Sequence, residues 1–406
     1  FPYYFGTEAN NITVGTQVPA EDSVVLNEST FTTDATQATV TVTGCGGRIP
    51  RGEAVIDVGS AGTAARFLAA MLGFSDGCYE IRCSAQMKRR PMAELFDLLS
   101  GAGAKITFLE EEGHLPVRIT GCRYARADKT AGETPRELSL DITKSTQFLS
   151  ALLLIAPMVP EGMKIHITSE KTDGSYIRIT RRMMQEFGVS VAFDGRDYEV
   201  PCRSSYRKET YMVEPDMSAA CYFYAAAAVT GGRTLVRHVH MDNTQGDLRF
   251  LEVLEHMGCT ADDTPEGILV TGPADGALRG ITVNMNDFSD QALTLAAIAP
   301  FADAPVRIEG IGHIRGQECD RIHAIQTNLT ALGIRCEEEE TAATIYPGSP
   351  HGGSVETYDD HRVAMAFSLV GLRTDGIVIE NPACCRKTFE NYFTVLSELT
   401  GKTVES

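Results

Sequence analysis

Met92–Phe108 reads MAELFDLLSGAGAKITF: apolar residues at helical spacing run into Gly103, and an alternating strand follows. Apolar positions at i, i+3 and i+4 give a helix one buried face. A glycine just past its end takes the left-handed conformation that stops it at little cost. A turn around Glu112–Gly113 and a second strand-like run, LPVRITG, complete a hairpin. The pattern recurs three times. ITRRMMQEFGVSVAF runs through Gly188, turns at Gly195 and continues as DYEV. FLEVLEHMGCTADD runs through Gly258, turns at Gly267 and continues as ILVTG. IHAIQTNLTALGIRCEEE runs through Gly333 and continues as ATIYPG. The glycines Gly103, Gly188, Gly258 and Gly333 lie roughly 70–85 residues apart, a longer period than ordinary solenoid repeats.

Five further helices fall between these units: Gly62–Gly73, Ser145–Pro157, Ser218–Val229, Gln291–Phe301 and His361–Leu372. Each is rich in Ala, Leu and Met almost all round, which predicts a buried helix. The order strand, helix, strand, helix, hairpin predicts an α/β protein made of several similar layers. A division is expected near Met212–Glu214, where a strand should lead into the second half. That gives an N-terminal α/β domain over residues 1–212 and a C-terminal one over 213–406.

The 406 residues suffice for two or three domains. At 43% hydrophobic and 22% charged, the chain is of ordinary globular composition. No apolar run reaches the roughly 18–20 residues of a membrane span, and no signal peptide is visible, although the chain begins at Phe1 rather than Met. A net charge of −18 disfavours nucleic acid and anionic membranes as partners. It leaves room for a small anionic ligand in a local basic pocket. Eleven cysteines without CxxC spacing read as reduced thiols of a cytoplasmic protein.

The candidate chemistry sits where helices begin. GSAGTAARFLAA, from Gly59, places small residues and Thr63 at a helix start, whose free N–H groups suit an anion. KSTQFLSALL, from Lys144, offers Ser145, Thr146 and Gln147 before an apolar helix; taken singly it reads as an ordinary cap. MKRRPM holds Lys88, Arg89 and Arg90, and such a charge run is usually solvated surface. RGQECDRI places Arg315, Glu318 and Arg321 at i, i+3 and i+6, near one side of a helix. TYDDHRVAMAFSL sets Asp359, Asp360, His361 and Arg362 before a hydrophobic helix, and CRKTFENYF supplies Arg386 and Lys387. No HxxxH or paired-Cys pattern suggests a metal. Together, cations from four distant segments and three acidic residues suit a doubly anionic ligand undergoing proton transfer, because guanidinium forks grip phosphate and carboxylate.

GSAGTAARFLAA, RRPM, STQFLSALLLIAP, EPDMSAACYFYAAAAVTGG, DFSDQALTLAAIA, IRGQECDRI, TYDDHRVAMAFSLVGL and RKTFENYF resemble, in the same order, the signature stretches of the EPSP synthase family. The resemblance runs from about Cys45 to about Leu399. It implies two similar inside-out α/β domains built from βαβαββ units, closing over ligands in the cleft between them. It also implies transfer of the enolpyruvyl group of phosphoenolpyruvate to shikimate 3-phosphate, without metal or organic cofactor and by a monomer. The inhibitor glyphosate occupies the donor pocket in this family. Ser145, Thr146, Gln147, Tyr176, His313 and Gln317 match positions around shikimate 3-phosphate. Gly62, Thr63, Arg90, Gln147, Arg321, Arg362 and Lys387 match positions around phosphoenolpyruvate. Asp290 matches the carboxylate that takes the proton of the 5-hydroxyl, which also places it at the acceptor. Glu318 matches the acid that handles the methylene proton, with His361 beside it.

There are departures from the family pattern. Ser60 and His313 each stand where Asn is common, Gln317 where many members have Lys, and Asp173 where a phosphate-binding Ser is frequent. The related transferase acting on UDP-N-acetylglucosamine carries a Cys five residues before the Arg of its Arg-Pro pair. That position here is Ala85, with Cys83 two residues too early. A non-catalytic binding protein of the same fold is a further alternative. Members of the family open with a Gly-Ser-Lys-Ser stretch whose Lys contacts both ligands. Phe1–Thr43 reads instead as Thr-rich strands and turns, and the first lysine is Lys88. The chain as written is therefore expected to be a poor catalyst, and one extended upstream a better one.

Overall fold

The computed structural model describes residues 49–122, 135–273 and 277–401. Before these it gives the backbone of four short strands, Tyr4–Phe5, Ile12–Thr13, Phe31–Asp34 and Thr39–Val42. What the sequence implies for Phe1–Thr43 lies otherwise outside the described residues. From residue 49 on, the chain divides into two compact units, one ending at Met212 and the next beginning at Val213.

The first unit contains two copies of one motif. Strand β1 (Glu53–Asp57) leads through helix α1 (Gly62–Gly73) to β2 (Cys78–Arg82), then through α2 (Ala93–Gly101) to the hairpin β3 (Lys105–Phe108) and β4 (Val117–Thr120). β1 and β2 are parallel, as a helical crossover requires, and the hairpin adds antiparallel in the order β1-β2-β4-β3. The second copy repeats this order: β5 (Arg136–Leu140), α3 (Gln147–Ile155), β6 (Met163–Ile167), α4 (Ser175–Glu186), β7 (Ala192–Phe193) and β8 (Asp197–Val200).

The second unit follows the same plan. Helix α5 (Met217–Thr230), β9 (Arg233–Arg237), α6 (Phe250–His256), β10 (Thr260–Thr264) and β11 (Gly267–Thr271) form a copy that has, among the described residues, no leading strand. A complete copy comprises β12 (Thr282–Asn284), α7 (Ala292–Ile298), β13 (Val306–Glu309), α8 (Arg321–Ala331), β14 (Cys336–Glu338) and β15 (Ala343–Ile345). The parallel pair β16 (Gly353–Val355) and β17 (Ile377–Ile379), joined by α9 (His361–Ser368), precedes α10 (Tyr392–Thr400).

The expected strand at Met212–Glu214 does not form; residues 201–216 are irregular. Met212 is 79% exposed, so it brings no apolar face to bury, and Pro215 lacks an N–H for a ladder.

Helices occupy the middle of each unit and sheets the outside. Every residue of α5 from Ala220 to Val229 is buried, as is all of α7. The strands alternate instead, with Val117 and Ile119 inside while Arg118 and Thr120 face out. Two separate apolar cores result, one per unit. Among the described residues, no helix is long and apolar enough to cross a membrane.

The four repeat glycines all have positive φ: +101° at Gly103, +92° at Gly188, +106° at Gly258 and +82° at Gly333. At Gly258 an added Cβ would meet only Arg279 Nε within 4 Å, at 3.8 Å, so the cost of a side chain there is backbone strain alone. Gly258→Ala is expected to lower stability by about 1–2 kcal/mol, read from chemical denaturation midpoints. Unchanged stability would mean that the helix end does not need this conformation.

Candidate active site

In the first unit the chemistry gathers at the start of α1. Gly62 opens the helix behind Ala61, which supplies no side-chain cap. Two guanidiniums converge there. A Cβ on Gly62 would run into Arg90 Nη1 and lie 2.8 Å from Arg66 Nη1. The charge run around Arg90 is therefore split. Lys88 pairs with Glu110 at the surface, 2.6 Å away, while Arg90 turns toward the helix start. Arg66 is buried at 3% exposure. Burial and the neighbouring Arg90 pull its guanidinium down to about 9.

Gln147, first residue of α3, joins this group. Its Oε1 accepts from Arg66 Nη1 at 2.7 Å, and its Nε2 donates to Thr63 Oγ1 at 3.0 Å. Ser145 Oγ accepts from the Gln147 N–H at 3.3 Å; Thr146, at the N-cap, makes no side-chain cap. Tyr176, near the start of α4, is half exposed. Asp173 accepts from Arg178 Nη1 at 3.0 Å. The first unit thus brings together Gly62, Thr63, Arg90 and Gln147, with Ser145 and Thr146 alongside Gln147 in sequence. Arg66 was missed, although it stands in the quoted GSAGTAARFLAA stretch; its spacing four residues after Gly62, one helical turn on, was the available signal.

The second unit builds a denser cluster. Asp290 lies in the turn Ser289–Gln291 ahead of α7 and pairs with Arg321 Nη1 and Arg362 Nη2, each at 3.0 Å. Arg321 opens α8 and is almost wholly buried. Asp360 holds it on the other side, with Oδ2 2.8 Å from Nε and Oδ1 3.3 Å from Nη2. Gln317 Oε1 accepts from Arg321 Nη1 as well. Burial alone would favour the neutral guanidine, but Asp360, Asp290 and Glu318 hold the group above its ordinary value. Asp360 has a second task, capping α9 by accepting from the Arg362 N–H at 2.9 Å.

His361 Nδ1 lies 3.1 Å from Glu318 Oε2, and the ring is buried at 5% exposure. Burial lowers its proton affinity more than the Glu318 contact restores it. His313 Nε2 lies 2.8 Å from Ser289 Oγ, beside Asp290 in sequence. Ligand atoms of Glu318, Asp360 and His361 lie within 4.8 Å of one another, a spacing open to a cation. Asp360 already spends both oxygens on Arg321 and on the helix cap, which makes it a poor metal ligand. The side chain of Lys387 lies outside the described residues.

The expectation that Arg315, Glu318 and Arg321 share one helix side is corrected. A 3-10 turn covers Gly312–Gly316, and α8 begins only at Arg321. Gly316 weakens a helix there, and Asp320 ends the irregular stretch by capping α8 through the His323 N–H. Arg315 is taken by Asp320 at 2.8 Å, Glu338 at 2.7 Å and the carbonyls of Glu339 and Glu340 at 2.6 and 3.0 Å. It clamps the loop that carries Gln317 and Glu318 rather than facing the cluster.

This arrangement is of the kind expected in an enzyme that handles an anionic ligand: paired guanidiniums suit phosphate or carboxylate, and two separately held carboxyl groups suit proton transfer. The fold is that of the enolpyruvyl transferases. The enolpyruvyl transferase NikO from Streptomyces tendae superposes with TM-score 0.67 at 16% identity, over 91% of this chain and 83% of its own. An EPSP synthase from Acinetobacter baumannii gives 0.72 at 25% identity, over 93% and 85%. Residues 26–396 match the family model described as EPSP synthase (3-phosphoshikimate 1-carboxyvinyltransferase). The 3-phosphoshikimate 1-carboxyvinyltransferase of Trichormus variabilis is 41% identical over 366 residues, 90% of this chain and 83% of the relative. That of Nostoc punctiforme is 40% identical over 358 residues, 88% and 82%. The chain belongs to the EPSP synthase family.

A buried, neutral His361 makes a pH-dependent contribution. Its folded proton affinity is below the unfolded one, so the stabilisation is complete above pH ~6.5 and is lost as pH falls toward the folded value. The wild-type melting temperature is expected to fall more between pH ~7 and ~5 than that of His361→Gln. Parallel curves would show that His361 does not titrate differently on folding.

Proposed function

We propose that the Asp290–Arg321–Arg362 cluster and the Glu318–His361 pair carry the two halves of one enolpyruvyl transfer. The chain is a transferase of its family, moving the enolpyruvyl group of phosphoenolpyruvate to the 5-hydroxyl of shikimate 3-phosphate on the way to chorismate and the aromatic amino acids. The observation that carries the assignment of roles is the sharing of Asp290 between two guanidiniums.

In this reading Arg321 and Arg362 receive the donor carboxylate. That carboxylate competes with Asp290 for the same guanidiniums. Losing those partners raises the proton affinity of Asp290, so the base becomes effective once the donor is bound. Asp290 then takes the proton of the attacking 5-hydroxyl. Glu318 delivers a proton to the donor's methylene carbon, leaving the adjacent carbon cationic and open to attack. The product is a tetrahedral ketal-phosphate. Loss of phosphate, with return of a proton from the methyl group to Glu318, restores the double bond. A neutral His361 can accept a hydrogen bond from protonated Glu318 and holds the acid in place.

The start of α1, with Arg66 and Arg90, is the place we assign to the donor phosphate. The absence of a side-chain cap at Ala61 supports this, because the first-turn N–H groups and both guanidiniums favour an anion. Gln147 links this group to the Ser145–Thr146 segment, where we place the phosphate of shikimate 3-phosphate together with Tyr176. We assign His313 and Gln317 to the acceptor ring, and Lys387 to the donor phosphate.

Phosphate release from phosphoenolpyruvate that depends on shikimate 3-phosphate tests the activity. Asp290→Asn and Glu318→Gln are each expected to cut kcat by ~100-fold or more, with little change in substrate binding; near-normal turnover removes that residue from the mechanism. Gly62→Ala places a methyl group against Arg90 and Arg66 and is expected to raise KM for phosphoenolpyruvate by ~10-fold, well above its effect on shikimate 3-phosphate. Equal losses for both substrates would point to a general disturbance of α1.

A further inference from the structure

A second carboxylate, Asp247, is buried beside the turn that carries Asp290, and the reaction scheme gives it no task. It sits in a 3-10 turn, Gly246–Arg249. Its Oδ2 accepts from Gln291 Nε2 at 2.9 Å and from Ser218 Oγ. Gln291 is the last residue of the Asp290 turn and is itself fully buried, with Oε1 accepting from Thr294 Oγ1 at 3.0 Å. Ser218 belongs to the first turn of α5, where Asp216 caps the helix. Gln245 ties the same place down, accepting from the Met217 N–H at 3.0 Å and donating to the Pro215 carbonyl at 2.6 Å. Asp247 therefore joins the start of α5 to the Asp290 turn.

A buried carboxylate is costly, and an uncharged amide could accept the same two hydrogen bonds. The charge has to be accounted for. Facing Asp290 are Arg321 from α8, Arg362 from α9 and Asp247, with His313 against the neighbouring Ser289. Facing Asp247 are Asp290 and Arg362. Two guanidiniums weaken Asp290 as a base, and a negative charge close by opposes them. Burial first, then the charge of Asp290, pushes Asp247 up to about 6, against the pull of Arg362 and the hydrogen bonds from Ser218 and Gln291. Gln291 Nε2 and Ser218 Oγ both donate to its carboxylate and the Arg362 guanidinium faces it, and all three favour the charged form.

We propose that Asp247 is a positioning residue for the transfer: held by Ser218 and Gln291, it fixes the turn bearing Asp290 and supplies the negative charge that keeps Asp290 an effective base. The inference rests on the reading of Asp290 as the base for the acceptor hydroxyl.

Asp247→Asn keeps the shape and removes the charge. It is expected to lower kcat by ~10-fold, to leave KM for both substrates within ~2-fold, and to move the acid limb of the kcat–pH profile to lower pH. Ser218→Ala is the milder variant. It removes one donor to the ionised carboxylate, so Asp247 holds its proton to higher pH. Its kcat should match wild type above pH ~8 and fall behind progressively toward pH ~6. Should Asp247→Asn fail to fold, as a thermal melt would reveal, Ser218→Ala decides. An unmoved acid limb in Asp247→Asn, or a pH-independent loss or no loss in Ser218→Ala, would overturn the proposal and leave Asp247 a structural tie. Asp290→Asn is the control: normal turnover there sinks the base reading itself, whereas an inactive Asp290→Asn with unmoved limbs sinks only the role of Asp247.

Discussion

Arg321 is a guanidinium with almost no access to solvent, and the second unit's chemistry is arranged around keeping it charged. An unpaired buried cation is untenable, so carboxylates must come to it. Asp360 approaches from the start of α9 and Asp290 from the turn before α7. Each is fixed in turn: Asp360 by capping α9, Asp290 by its second partner Arg362. Because three chain segments meet at one buried charge, a shift in any of them would expose an uncompensated ion. The cluster is rigid for an electrostatic reason, not only through packing.

The two units treat their helix starts differently. In the second, α5, α8 and α9 are capped by Asp216, Asp320 and Asp360. A capping carboxylate satisfies the first-turn N–H groups and cancels the positive end of the helix dipole. In the first unit α1 and α3 have no side-chain cap, and arginines gather at α1 instead. The second unit has spent these three helix starts on internal charges, while its α6, α7 and α10 carry no side-chain cap. In the first unit α1 and α3 are left uncapped within a protein of net charge −18, an arrangement that suits small anions.

Local signals were legible in the sequence. The helix ending at Gly103 and the hairpin after it needed only periodicity and a glycine, and the structure has both. The helix Gly62–Gly73 was read to the residue. The strand expected at Met212–Glu214 failed because nothing there was tested against packing: Met212 is exposed and Pro215 follows. The single helix expected for Arg315–Arg321 failed because helical spacing was assumed through Gly316 and a capping Asp320. Asp360 was seen standing before a hydrophobic helix, but not as the partner of Arg321. Asp247 lay in NTQGDLRF, a stretch with no motif to single it out.

The sequence by itself determined the layered α/β repeat, the family, and the residue types available for anion binding and proton transfer. These follow from spacing along the chain, which the chain carries in full. The tertiary structure decided which charges face each other. Arg66 meets Gln147 from 81 residues away, Arg321 meets Asp360 from 39, and Gln291 meets Asp247 from 44. Spacing cannot encode such pairs, because they depend on how whole layers stack. It is that stacking, by excluding water, that turns Asp360 and Asp290 from ordinary surface-type acids into the partners a buried guanidinium requires.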